Sequence, residues 1–296
     1  MFITVNNVVV SFGTGWHNPR SPARVKAIAL AGLLMLLLTA LQLQAAQAAF
    51  DHRHGAWTTL LHKHVVLISD GNAAQVRYAA FQKDRSALRG YLDSLSAVTR
   101  KDFDAWPSAR RKAFLINAYN AYTIELILTK YPDLQSIKDL GSLLTSPWKK
   151  QFFQLLGQAA SLDNIEDMLR QRGAYDDPRI HFALNCASIG CPMLRDEAYI
   201  AERIDAQLDS QAERFLSDRS RNRYDPATGR LEVSKIFDWY GDDFRLGHLG
   251  VHSVEDFFAR YAARLADNPP DRAKIVSHQA AVTFLDYNWN LNDTKR

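Results

Sequence analysis

The sequence predicts an α+β fold: one helix-rich domain with a small, mostly antiparallel sheet. Three observations point there. Segments with helical apolar spacing outnumber strand-like ones; the strands do not alternate regularly with helices, as a doubly wound sheet requires; and no repeat or Gly/Ser/Pro-rich linker divides the chain. The composition agrees, with 47% hydrophobic and 23% charged residues across 296 positions, which excludes a disordered, collagen-like or coiled-coil chain.

The first segment reads as an address. Arg20, Arg24 and Lys26 precede an uncharged run, Ala27 to Ala49, and Ala46-Gln47-Ala48 follows its apolar part. That part, Ala27 to Leu41, is shorter than the roughly 20 residues a spanning helix needs. Residues 1–48 are therefore expected to be a signal peptide cleaved after Ala48, with residues 49–296 as the single domain in the periplasm or secreted. The alternative is a membrane anchor formed by residues 27–49. Without residues 1–48 the basic count falls from 36 to 33 against 32 acids, because that stretch holds three basic residues and no acid. A near-neutral chain is a poor nucleic-acid binder, so nucleic acid is excluded as a partner.

Leu60, Leu61, His64, Val65 and Ile68 predict a first helix, and Leu88, Tyr91, Leu92 and Leu95 predict another within Asp84 to Val98. Pro107 opens a long helix to Lys130, closed by Tyr131-Pro132. Phe152 to Ala159 reads as a strand entering a tight turn, and Ser161 caps a helix over Ile165, Met168 and Leu169. A helix from Asp177-Pro178 comes next, then one capped by Asp196 and running to Leu216. Asp225 to Gly229 is a turn between Arg223-Tyr224 and Leu231-Glu232-Val233. Arg219, Arg221 and Arg223, beside Asp218 and Asp225, read as a solvated loop. Ser234 and Ser253 each begin a helix, and Val282 to Tyr287 is a late strand.

Two segments carry polar groups where apolar ones are expected. Ala113 to Leu128 is apolar enough all round to be buried, yet it holds Asn117, Asn120 and Glu125. Buried amides and carboxylates need partners, so these form either a wall of a pocket or an internal network that pins loops. The second segment, Asp177 to Pro192, holds both cysteines, Cys186 and Cys191. A disulfide is open to an exported protein. An unbroken helix would hold the two Cα atoms about 8–9 Å apart, too far for a bridge, but Gly190 and Pro192 can break it. The other reading makes Cys186 a nucleophile with His181 as its base, and Asn120 or Asn185 orienting the imidazole. Along a helix those two residues lie about 140° apart, so the pair needs a bend, or another histidine from His248, His252 and His278. The His52/His54 and His62/His64 pairs complete no recognised ligand spacing, so no metal is assigned, and no cofactor signature appears.

The chain resembles the family known as domain of unknown function 547 (DUF547), found in exported bacterial proteins and in some plant proteins. The likeness rests on Phe114-Leu115-Ile116-Asn117-Ala118-Tyr119-Asn120, on Ser161 to Glu166, and on Arg179 to Ser188 with Gly190-Cys191-Pro192. Ser234 to Phe237 with Trp239-Tyr240 and Asp243-Phe244 also matches, as does Phe284 to Asn292, so that the likeness covers nearly all of residues 50–292. Plant members often keep a cysteine matching Cys186 without one matching Cys191, which favours a thiol role. Asn288 stands where the family has Asp. The resemblance implies fold and extent, and brings no established activity.

The candidate site gathers Asn117, Tyr119, Asn120, His181, Asn185, Cys186 and Ser188. One reading is a thiol-dependent hydrolase or acyl transferase, in which Cys186 attacks a carbonyl, His181 moves the proton and an Asn amide holds the oxyanion. The other is a non-enzymatic cell-envelope binding module stapled by a Cys186–Cys191 disulfide. The partner is an unknown small molecule or envelope component, and the membrane only if the leader is uncleaved. The enzyme reading requires a histidine nitrogen within about 4 Å of the Cys186 sulfur and a cleft open to solvent.

Overall fold

The computed structural model describes residues 50–142 and 145–294, together with two short strands near the start. Those strands, β1 (Thr4–Val5) and β2 (Val8–Val9), pair antiparallel within a unit of residues 1–49. The expected signal peptide, its cleavage site and the alternative anchor over residues 27–49 otherwise lie outside the described residues. Among the described residues no helix is long and apolar enough to cross a membrane.

Residues 50–296 form the second unit. It is rich in helix with small sheets of two or three strands, as expected of the α+β class. The first helix, α1 (Gly55–His64), stops short of the predicted Ile68. Val65 turns extended, and β3 (Val65–Ile68) pairs antiparallel with β4 (Ala73–Val76). Two β-branched valines and an isoleucine favour the strand once a partner is present. Next come α2 (Tyr78–Lys83), α3 (Arg85–Ser96) and α4 (Arg100–Ala105), the last capped by Thr99.

The centre of the unit is α5 (Ser108–Leu128), buried almost without interruption from Lys112 to Leu128. It is apolar all round, and the larger core surrounds it. The hairpin β5 (Phe153–Leu155) and β6 (Gln158–Ala160) leads into α6 (Leu162–Arg170). Ser161 starts α6 through a capping box: its hydroxyl accepts from Asn164 N–H, and the Asn164 side chain accepts from Ser161 N–H.

Beyond α6 the sequence overstates helix. Asp177 accepts from Arg179 N–H as expected of a cap, but the turn it opens is 3₁₀ and ends at Phe182. Asp196 caps nothing; the chain is irregular and largely buried to Tyr199, and α7 (Ile204–Ser217) begins after a 3₁₀ turn at Ala201–Arg203. The hairpin β7 (Arg223–Asp225) and β8 (Arg230–Val233) lies where predicted. A smaller core of stacked aromatics, Phe182, Phe215, Phe237, Phe244 and Phe257 among them, joins α7 to α8 (Ile236–Trp239) and α9 (Val254–Arg260). Short helices α10 (Ala262–Leu265) and α11 (Pro269–Val276) follow. The last strand, β9 (Ala281–Phe284), adds parallel to β8.

The C-terminal segment then doubles back along the cysteine loop. Gly190 and Ile189 N–H groups donate to the Asn288 and Asn290 carbonyls, both at 2.8 Å, and Asn292 N–H donates to the Ala187 carbonyl at 3.0 Å. Val76 N–H on β4 donates to the Asn292 carbonyl at 2.8 Å, so one segment ties the hairpin to the loop. Position 190 requires glycine, since a Cβ there would lie 2.9 Å from Asn288 N.

Candidate functional site

The site is a cavity of about 340 Å³ between α6, the 3₁₀ turn at Pro178–Phe182, the cysteine loop, α8 and the C-terminal segment. Cys186 and His181 both line it. The bend they require is present, because the 3₁₀ turn stops at Phe182 and Ala187 takes a left-handed φ of 61°.

His181 rides on a turn that is anchored by charge. The fully buried Asp177 side chain takes Lys112 Nζ at 2.9 Å and the Arg179 guanidinium at 2.9 Å. Burial opposes ionisation of Asp177, but Arg179 and Lys112 hold it down at about 2. The His181 ring stacks on Tyr240 at 3.9 Å, and its Nε2 meets Asp243 Oδ2 at 2.7 Å. Asp243 also accepts from Arg170 Nε at 2.6 Å. Burial again opposes ionisation, and the His181 and Arg170 hydrogen bonds bring Asp243 to about 2. With Nε2 held by Asp243, Nδ1 is the ring nitrogen left for chemistry.

Cys186 is half-buried, and both cysteines are free. The Cys186 sulfur lies 3.2 Å from the Tyr287 hydroxyl and 3.8 Å from Ser188 Oγ, while its backbone N–H donates to Cys191 Sγ at 2.9 Å. The Cys191 thiol beside it favours the thiolate of Cys186; burial opposes, and the Tyr287 and Ser188 hydroxyls add to the lowering. Burial and the neighbouring Cys186 push Cys191 well up instead. Cys186 thus holds the lower pKa of the two, as a nucleophile requires.

The asparagines expected at the reaction centre do other work. Asn120 Nδ2 donates to the Ala183 carbonyl at 2.9 Å and its Oδ1 accepts from Asn185 N–H at 2.8 Å, so it pins the chain just before the cysteine loop. Asn185 closes that loop, accepting from Ala187 N–H and donating to the Pro192 carbonyl at 2.7 Å. Asn117 clamps Tyr199 at both its N–H and its carbonyl. None of the three lines the cavity, and the group that orients His181 is Asp243 rather than an amide. Tyr119 does line the cavity, and Ser188 reaches it through Cys186. Glu125, the third polar group of α5, pairs with Arg85.

Of the two conditions for the enzyme reading, the open cavity is met. As to the other, the side-chain hydrogen-bond partners of the Cys186 sulfur among the described residues are Tyr287 and Ser188, and no histidine is among them. Four other histidines pair elsewhere. His248 Nε2 faces Asp177 at 3.4 Å, His278 faces Asp256 at 3.5 Å, His54 meets the Tyr91 hydroxyl and His64 meets Asp84.

Three features escaped the sequence reading. Arg221 is buried rather than solvated: it pairs with Asp218 and donates to the Cys191 carbonyl, holding the loop from behind. Tyr287 reaches Cys186 across 101 positions. The third is the polar face of α6, where Asp163, Glu166, Asp167 and Arg170 all line the cavity. Burial raises the Glu166 pKa against His181, Tyr240 and Arg170, and burial together with Asp167 raises that of Asp163. The i, i+3, i+4, i+7 spacing of these four was the available signal.

Residues 103–216 match the family described as "Protein of unknown function, DUF547". The segment holds α5, α6 and both cysteines, and ends before Asp243 and Tyr287. Neither the curated proteins nor the solved structures include a match.

Proposed function

We propose that this protein is a thiol-dependent acyl-transfer enzyme, a hydrolase or transferase acting with Cys186 on a small molecule or cell-envelope component outside the cytoplasm. The observation that carries the reading is that a cysteine with a favoured thiolate and a histidine held by Asp243 line one open cavity. Cys186 gives its proton to His181 Nδ1 as Sγ adds to the carbonyl carbon, and His181 passes that proton to the leaving group as its bond to the carbon breaks, leaving a thioester on Cys186. Water or a second nucleophile then cleaves the thioester, returning the thiol. Asp243 holds the imidazole in place throughout, a positioning role. The oxyanion donor is the Tyr287 hydroxyl, already 3.2 Å from the sulfur, since the asparagine amides are spent on backbone.

One observation favours a second reading. Without a His181–Cys186 hydrogen bond, the same cavity serves a binding module that performs no turnover. Alkylation rate and turnover of acyl p-nitrophenyl esters separate the two. The enzyme reading expects Cys186 to alkylate faster than a free cysteine at neutral pH. Cys186→Ser then loses labelling there and at least about a thousandfold in turnover. His181→Ala keeps the thiol but loses turnover. Ordinary labelling with no turnover, or turnover that survives Cys186→Ser, supports the module.

A further inference from the structure

We propose that the cavity selects a substrate carrying a primary alkylammonium group, held by the carboxylates of α6 and the tryptophans that line the same cavity. The inference takes the location of the site from the acyl-transfer reading and adds the chemical class of what enters it.

The α6 sequence divides cleanly. Leu162, Ile165 and Leu169 are buried in the core, which turns Asp163, Glu166 and Asp167 toward the cavity. Among the described residues none of these three acids takes part in a salt bridge. The cations nearby are already committed. Arg170 is bound to Asp243, and its guanidinium lies 5.1 Å over the Tyr240 ring. Lys149 acts on Asp163 only at longer range, and His181 is bound to Asp243. The cavity therefore presents more negative than positive charge, and burial raises two of its carboxylates against the pull of Lys149 on Asp163 and of His181, Tyr240 and Arg170 on Glu166.

The rest of the lining is largely aromatic. Trp239 and Trp289 stack at 5.7 Å, Trp148 meets Trp289 edge-on at 5.9 Å, and Trp239 is 44% exposed. Indole faces attract cations, and Trp289 already does so within this chain, with Lys138 Nζ 3.6 Å from its ring centroid. Carboxylates and indoles lining one cavity suit an ammonium with an alkyl stem. An anionic substrate finds only Arg170, which is occupied. Among the described residues no three side chains converge as metal ligands, which argues against a divalent cation as the occupant.

The test measures binding and needs no turnover. Full-length Cys186→Ser protein is titrated by calorimetry with Nα-acetyl-lysine methylamide and with the uncharged Nα-acetyl-norleucine methylamide. The lysine probe is expected to bind at least about tenfold tighter, the scale of one charge-assisted hydrogen bond. Asp163→Asn with Glu166→Gln should bring the ratio close to one. Should that double variant fail to fold, Trp239→Ala, at an exposed position, should weaken the lysine probe several-fold while sparing the norleucine probe. Equal binding, tighter norleucine binding, binding of neither probe, or a ratio unmoved by these variants overturns the inference. Because the nucleophile is absent throughout, failure of the acyl-transfer chemistry leaves the ratio intact, and failure of the ratio leaves Cys186 labelling intact.

Discussion

On α5, Asn117 and Asn120 are 0% and 2% exposed, and each amide is used at both ends by backbone from another part of the chain. On α6, Asp163, Glu166 and Asp167 face a cavity and form no ion pair among the described residues. Both helices carry polar residues at helical spacing, and sequence periodicity describes them alike. Partnering separates them. A buried polar group with every valence met holds the fold, because losing any partner exposes an uncompensated donor or acceptor. A polar group left open to a cavity stabilises little and remains available to a ligand. The amides of α5 are architecture for the site, and the acids of α6 belong to its interior.

The largest expected effect breaks the architectural side. Asn117→Ala strips partners from both the N–H and the carbonyl of buried Tyr199, a loss of about 3 kcal/mol at roughly 1–3 kcal/mol per orphaned group. Denaturant unfolding should show it as a lowered midpoint at unchanged slope. Cys186 alkylation under native conditions should not change. A variant of wild-type stability would mean that Asn117 is not the clamp its geometry describes, and the contrast between the helices would fall.

Much of that architecture was legible because it is local. The capping box of Ser161 and Asn164, the turn at Asp225 to Gly229 and the apolar run of α5 each depend on residues a few positions apart. What escaped depends on distance or on context. Val65 to Ile68 fits a helix by spacing, and only pairing with Ala73 to Val76 makes it a strand. Arg221 sits among charges that suggest solvent, yet packing over the Phe215 ring and against the Cys191 carbonyl buries it. Within the site, His181 and Cys186 were readable as chemistry-bearing residues, but their supports were not. Asp243 lies 62 positions from His181, and Tyr287 lies 101 from Cys186. Asn120 and Asn185 spend their amides on the backbone around the cysteine loop, which periodicity does not reveal, since it reports a face and not what that face touches.

A smaller effect sharpens the functional side. Asp243→Asn removes the carboxylate that holds His181 Nε2 and leaves Arg170 unpaired. If Asp243 acts by positioning the imidazole, kcat should fall about a hundredfold with KM nearly unchanged, and Asp243→Glu should recover part of it. Steady-state kinetics on an acyl ester reads both. A rise in KM at constant kcat would instead assign Asp243 to substrate binding, and would move it to the same side of the comparison as the acids of α6.

The smallest effect concerns a group that fits neither side. His54 is 1% exposed and its Nδ1 meets the Tyr91 hydroxyl at 2.7 Å, so it is partnered like the amides, yet it can take up a proton. Burial lowers its pKa from 6.5 to about 4; Asp51 opposes this and His52 adds to it. Between those values the unfolded chain holds the proton and the folded chain does not, so the stability from neutral His54 is complete above pH 6.5 and is lost as pH falls toward 4. From pH 7 to 5.5 the loss at this one site is about 1 kcal/mol. His54 adopts a left-handed φ of 51°, which asparagine tolerates well, so His54→Asn is the variant that removes the titration without straining the backbone. Burial lowers His52 and His64 too, so some acid sensitivity will persist in the variant. The measurement is therefore the difference in unfolding free energy between the two proteins across that pH range. A difference that widens by about 1 kcal/mol toward neutral pH in favour of the wild type places His54 with the buried amides as architecture, but architecture that acid can undo. A difference independent of pH would show that His54 titrates alike in the folded and unfolded chains, so that burial does not set its charge, and a difference that narrows toward neutral pH would show that His54 is held protonated in the fold, a charged group of the same kind as those on α6.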